Sequence, residues 1–171
     1  MGKTSAGLLM YRRHETIEVF LVHPGGPFWS KKDLGAWSIP KGEYPADEDP
    51  LVAAKREFVE ETGLQPGTAF MELTPIQQAG GKVVRAWACE GDADPTGIAS
   101  NTFSMEWPPR SGLQQTFPEV DRAAWFPIEE AKKRILKGQV ALLIELQRLL
   151  PTLSTSGRGK GEGDGTDGAH D

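Results

Sequence analysis

Three glutamates, Glu57, Glu60 and Glu61, stand at i, i+3 and i+4 in a stretch whose composition predicts a helix. That spacing gathers them on one helix face within an arc of about 100°. The only other side chain in the arc is Ala53, the smallest that could stand there. Like charges so placed repel by roughly a few tenths of a kcal/mol per pair when exposed, and by more when desolvated. A hard divalent cation would turn that repulsion into a site, and carboxylate oxygens suit Mg²⁺ or Mn²⁺. On these three residues alone a solvated acidic face is the plainer reading, so the surroundings must decide.

The helix that carries them is specified at both ends. Asp49 is a capping residue, and Pro50 fits the first helical position, where its missing N–H costs nothing. Ala53 and Ala54 are strong helix formers. Gly63 stands where a left-handed residue is wanted, so the helix is expected over residues 50–62. Leu51, Ala54 and Phe58 form a separate apolar stripe that should face a core. Around the helix, residues 5–12 and 17–23 read as a hairpin, 82–90 as a strand, and 70–77 as its partner. Shorter strands are expected at 103–107 and 123–126, with helices over 128–136 and 139–150. Mixed strands with a few helices, without regular βαβ alternation, predict an α/β sandwich on a mixed sheet.

Composition narrows the classes. The chain has 171 residues, 25% of them charged, which suits one packed domain and excludes wholesale disorder. Nineteen Lys and Arg against 24 Asp and Glu give a net charge of −5, which argues against a nucleic-acid polymer held by charge alone. One cysteine, Cys89, precludes an internal disulfide, and with only three His a His/Cys zinc site is nearly excluded. No stretch approaches the roughly 20 apolar residues needed to span a bilayer. The apolar run over residues 6–11 is too short for a secretory segment, so the expectation is a cytoplasmic protein. From residue 152 the text changes to a Gly-rich, net-acidic run with Leu153 as its one large apolar residue. Residues 1–151 are therefore expected to form the domain and 152–171 a disordered tail.

The wider pattern decides between site and solvated face. Gly42 is followed by five residues, Glu48, seven more, and then Arg56-Glu57-Phe58-Val59-Glu60-Glu61-Thr62-Gly63-Leu64. Residues 42–64 thus resemble the signature of the Nudix hydrolases, matching every fixed glycine and polar position. Chance agreement in a chain this long is about one in ten million at average residue frequencies. Two positions depart from the commoner form: Phe58 replaces an aliphatic residue, and Asp47 stands where many members have glycine. The resemblance implies a Nudix-type α/β/α sandwich over about residues 3–150. It also implies hydrolysis of a diphosphate linked to another moiety, with Mg²⁺ or Mn²⁺ and attacking water. Glu57 and Glu61 would be the principal metal ligands and Glu60 a supporting one. Arg56 would orient the glutamates, with Glu48 anchoring the loop. Members differ in where the base lies, so it stays open among the motif glutamates and a loop residue. Glu119 is the candidate outside the motif, with a solvated loop glutamate as the alternative.

Residues 37–42, Trp37-Ser38-Ile39-Pro40-Lys41-Gly42, resemble the branch with a W-x-x-P-K-G lead-in. That branch includes hydrolases of dinucleoside polyphosphates, diphosphoinositol polyphosphates and some nucleoside triphosphates. Lys41 and Gly42 would meet a phosphate. Trp29 and Lys32 in the aromatic and basic loop after His23 could stack a base and catch a phosphate, or Phe28 and Trp29 could simply cover the core. Arg12 and Arg13 are further phosphate-contact candidates, with surface charge as the alternative. Trp37, Trp87, Trp107 and Trp125 read as core or cleft wall. The expected partner is a small-molecule diphosphate, a dinucleoside polyphosphate or nucleoside triphosphate first. A diphosphoinositol phosphate is the second reading and a non-catalytic nucleotide-sensing domain the third. The expected assembly is a monomer or homodimer, without membrane or nucleic-acid partners.

Overall fold

The central strand is buried on both faces, which is why its text is a continuous apolar run and not an alternation. In the computed structural model, which describes residues 3–150, this is β1 (Thr4–Arg13). It pairs antiparallel with β2 (Ile17–Pro24) across the turn at 14–16, and antiparallel with the short β3 (Lys41–Glu43). The helix expected at 50–62 is α1 (Pro50–Thr62), capped as its sequence requires. The Asp49 carboxylate accepts from the N–H groups of Leu51 and Val52, and Gly63 takes a left-handed φ of 71°.

After α1 come β4 (Thr68–Glu72), β5 (Ile76–Gln77) and β6 (Val83–Glu90). The β6 strand lies parallel to β1, from Thr4↔Val83 to Tyr11↔Glu90, so the sheet is mixed. The single strand expected over 70–77 is instead two short pieces, because Pro75 has no N–H to give the ladder. Strands β7 (Thr102–Glu106) and β8 (Gln114–Pro118) form a separate two-stranded sheet. The chain then returns through β9 (Val120–Pro127), which pairs with β2, to α2 (Ile128–Arg134) and α3 (Val140–Leu149). Both of these helices are slightly shorter than expected, with a 3₁₀ turn at Lys137–Gln139 between them. The expected disordered tail at 152–171 lies outside the described residues.

The main sheet runs β4-β6-β1-β2-β9, with β3 added on β1 and β5 on β6. Alternate residues of β1 feed two cores. Ala6, Leu8 and Met10 pack with Phe20 of β2 and with Ala53, Ala54 and Phe58 of α1. Leu9 and Tyr11 pack with Leu21, Ala131 and Leu142 on the opposite face. The result is an α/β/α sandwich on a mixed sheet. Fully burying a Phe-sized side chain contributes about 1.5–3 kcal/mol, so Phe58, with no exposed surface, seats α1 firmly. The glutamate face of the helix is thereby turned toward β3. Among the described residues no helix is long and apolar enough to cross a membrane.

Candidate active site

Strand β3 is too short to show a period in sequence, yet it sets the site. Its backbone runs along the acidic face of α1, and the Lys41 N–H donates to Glu61 Oε1 at 3.2 Å. Gly42 passes so close to Glu57 that a Cβ there would lie 2.0 Å from Glu57 Oε1. The carboxylate therefore fills the space that any larger residue would need.

Arg56 organises the rest. Its Nε and Nη2 form a fork on Glu48, at 2.9 and 2.8 Å, while Nη1 donates to Glu57 at 2.9 Å and to Glu60 at 3.2 Å. The bidentate pair pins the loop to the helix, and the third nitrogen holds two motif glutamates. These bonds, Glu48 first, raise the pKa of the guanidinium further above its ordinary value. Glu61 is outside this network. Burial pushes its carboxyl up to about 8, against the Lys41 N–H bond and reinforced by the neighbouring charge of Glu57. Burial also raises Glu57, opposed by Arg56.

Among the described residues no three His, Cys, Asp or Glu side chains close on a single cation-sized point. Arg56 Nη1 holds Glu57 and Glu60, while Glu61 is bonded to the Lys41 N–H. The donor set nonetheless fits a hard cation. It consists of carboxylate oxygens alone, and Glu61 is a sheltered carboxylate short of counter-charge. Mg²⁺ or Mn²⁺ would be held by Glu57 and Glu61 with Glu60 beside them.

An acid whose folded pKa lies above its unfolded value keeps its proton more tightly in the fold, so stability is greatest below the unfolded pKa and falls as pH rises. Metal-free protein should therefore lose stability between about pH 4.5 and about 8, the window set by Glu61. Mg²⁺ should restore it at the upper end by compensating the buried charge left when that proton is lost. Melting curves with and without Mg²⁺ across this range check the sign, and a metal-free Tm that climbs from pH 5 to 8 contradicts it.

Two cavities meet at this face. A basin of about 480 Å³ is lined by the three glutamates and by Lys41, Lys82 and Asn101. A cleft of about 250 Å³, more apolar, is lined by Val22, Trp29, Ile39 and Leu136 among others. Lys41, Glu61 and Glu119 line both and mark the junction. Glu119 is brought there by backbone bonds: its N–H donates to Asn101 O at 2.7 Å, and the Asn101 N–H donates to Glu60 O at 3.0 Å. Behind it, fully buried His23 links Asp121, at 2.9 Å, to the Lys32 carbonyl, at 2.6 Å. That bridge ties the turn carrying Glu119 to the loop carrying Trp29 and Lys32.

The structure thus gathers Glu57, Glu60, Glu61, Lys41, Gly42 and Glu119. Trp29 lines the cleft while also packing on the core, and Lys32 Nζ lies 5.6 Å from its ring centre. Arg12 must be corrected. It is at the far end of β1, paired with Glu18 at 2.8 Å and Asp92 at 2.7 Å and stacked over Trp125, away from the basin. Arg13 pairs with Glu90 at the same end. Trp37 and Trp87 are core, whereas Trp107 meets exposed Phe28 edge-on at 5.3 Å. Lys82, Asn101 and Ser5 line the basin without any sequence signal, since strand pairing and, for Asn101, backbone bonds to Glu60 and Glu119 bring them there.

The family model for the NUDIX domain matches residues 1–146. A Caenorhabditis elegans Ap4A hydrolase binary complex superposes with a TM-score of 0.62 at 23% identity, covering 87% of this chain and 98% of that one. The NUDIX domain of Shewanella oneidensis NrtR, complexed with ADP ribose, gives 0.59 at 19%, with 89% and 90% covered. MutT of Aliivibrio salmonicida and Vibrio cholerae gives 0.51 at 17%, with 84% and 94% covered. A search of curated proteins found no match. At these identities the solved structures speak for the fold alone. The family model, spanning most of the chain and including the glutamate helix, carries the assignment: the chain belongs to the NUDIX domain family.

Proposed function

We propose that residues 1–151 form a Mg²⁺- or Mn²⁺-dependent pyrophosphohydrolase, with 152–171 outside the catalytic unit. Its substrate is a nucleoside diphosphate derivative, a dinucleoside polyphosphate or a nucleoside triphosphate. The observation that carries this reading is the junction of the two cavities, where Lys41, Glu61 and Glu119 are shared. A nucleoside half suits the apolar cleft beside Trp29, and the phosphates suit the carboxylate basin. The similar Ap4A hydrolase and the ADP-ribose-bound domain are named for nucleotides of this kind. An inositol ring has no use for an apolar cleft, which puts the diphosphoinositol reading second. A non-catalytic sensing domain would have no need of Glu57, Glu60 and Glu61 together.

A bound divalent cation supplies charge neutralisation of the diphosphate and activation of water. The chain's own residues do the rest. Glu57, Glu60 and Glu61 offer carboxylate oxygens to the cation, and Arg56 fixes two of them. Lys41 gives a point charge to a phosphate oxygen, its amine held below the ordinary lysine pKa by burial against the raising effect of Glu61. The oxygen of water bonds to one phosphorus while the P–O bond from that phosphorus to the bridging oxygen breaks. Its proton passes to Glu119, whose carboxylate has no hydrogen bond among the described residues, and from there to solvent.

A panel of dinucleoside polyphosphates, nucleoside triphosphates, ADP-ribose and a diphosphoinositol phosphate, with and without Mg²⁺, tests this by mass spectrometry of the products. Cleavage of a nucleotide member only with Mg²⁺ is the expected result. Glu119→Gln should lower kcat by about 100-fold with KM little changed, the usual size of a general-base contribution. Turnover by Glu119→Gln at the wild-type rate removes it from the role of base, and no turnover of any member by wild type defeats the proposal.

A further inference from the structure

The order of groups along the site extends beyond the two phosphates of the bond that breaks. The apolar cleft lies at one end, the junction of Lys41, Glu61 and Glu119 follows, then the glutamate basin. Lys82 lines the basin but not the cleft, so it stands beyond the junction from the side where the nucleoside half would lie.

The fold presents this lysine deliberately. Strands β3 and β6 flank β1 on opposite sides, with Ser5 facing Glu43 in one and Val84 in the other. Lys82 immediately precedes β6 and follows a turn in which Gly80 and Gly81 both have positive φ, 84° and 82°. The turn is closed by the Gln78 N–H donating to Lys82 O at 2.7 Å. From there Lys82 spans to Glu43, Nζ to Oε2 at 3.9 Å, while Lys3 approaches the other oxygen at 3.8 Å. Both contacts are long and solvent-exposed, and such pairs contribute little. Glu43 is thus shared by two lysines, and Lys82 is free to exchange it for a better anion.

Cations bound at the glutamates would neutralise the scissile diphosphate. A third or fourth phosphate brings charge that needs a separate partner, and a lysine on a flexible stem is such a partner. Building on the pyrophosphohydrolase reading, we propose that Lys82 forms an anion subsite for phosphates beyond the scissile pair, selecting substrates with three or more linked phosphates.

The test compares wild type, Lys82→Gln and Lys82→Arg at saturating Mg²⁺ on a dinucleoside tetraphosphate and on ADP-ribose, which has only the diphosphate bridge. The kcat/KM ratio of the first to the second should fall about tenfold in Lys82→Gln, through KM, and recover in Lys82→Arg. An equal loss on both substrates, or none, overturns the subsite. Calorimetry with Mg²⁺ and inorganic tripolyphosphate or pyrophosphate gives a readout independent of turnover. Lys82→Gln should weaken tripolyphosphate more than pyrophosphate. If wild type turns over neither substrate, the functional reading fails while this measurement still decides the subsite: equal weakening, or none, rejects it.

Discussion

Glu61→Gln and Glu57→Gln should each lower kcat/KM by about three orders of magnitude, the scale on which metal ligation stabilises a developing charge. The substitutions preserve volume and remove one negative charge, so packing is not at issue. Their effects on stability should differ. In Glu61 the fold disfavours the charged form, because burial and the neighbouring Glu57 outweigh the Lys41 N–H bond. Glutamine keeps an acceptor for that N–H and has no charge to bury. Metal-free Glu61→Gln should therefore melt above metal-free wild type at pH 8 and close to it at pH 5, where the wild-type group is already neutral. Burial raises Glu57 in the same sense but Arg56 opposes it, so metal-free Glu57→Gln should gain less Tm at pH 8 than Glu61→Gln. Arg56 keeps Glu48 and Glu60 in that variant, so its anchoring of the loop should persist. Wild-type activity in both variants would remove these glutamates from the metal site.

How much of this was legible in the sequence follows from where each signal lies. Helix α1 was readable to the residue because Asp49, Pro50 and Gly63 each act within one turn of their own position. The glutamate face was readable for the same reason, being set by helical spacing alone. Strand β3 was not, because three residues show no period and Lys41–Glu43 is a strand only through pairing with β1. Nor was β8, a polar ribbon exposed along most of its length, with no apolar alternation to betray it. Arg12 stayed open between phosphate contact and surface charge because strand text does not say which end of the strand meets the site. Ser5, at the other end of β1, is the residue that lines the basin. Lys82 and Asn101 reach the site through sheet pairing and a backbone bond to Glu60, relations between distant segments that one sequence cannot display.

Gly42→Ala separates the folding and catalytic roles of the motif's first residue, and should lower kcat/KM by about 100-fold. Gly42 is absent from the residues with positive φ, so alanine can adopt the backbone conformation and the obstacle is space. The new Cβ would lie 2.0 Å from Glu57 Oε1 and 2.2 Å from its Cδ. Those atoms are the end of a flexible side chain, so Glu57 can move aside at a stability cost of about 1 kcal/mol. The catalytic cost is larger, because a misplacement of about 1 Å in a reacting group is enough for a 100-fold loss. Gly7→Ala is the contrast: its Cβ would meet the Pro40 carbonyl oxygen and Lys41 Cβ, both at 2.6 Å, where backbone must shift. That variant should lose several degrees of Tm, whereas Gly42→Ala should stay within a few degrees of wild type. If Gly42 acts through Glu57, adding Gly42→Ala to Glu57→Gln should cost far less activity than Gly42→Ala costs alone, because two changes that disable one group are not additive. Full additivity in that cycle would assign Gly42 a different role, with its backbone approaching the phosphates directly.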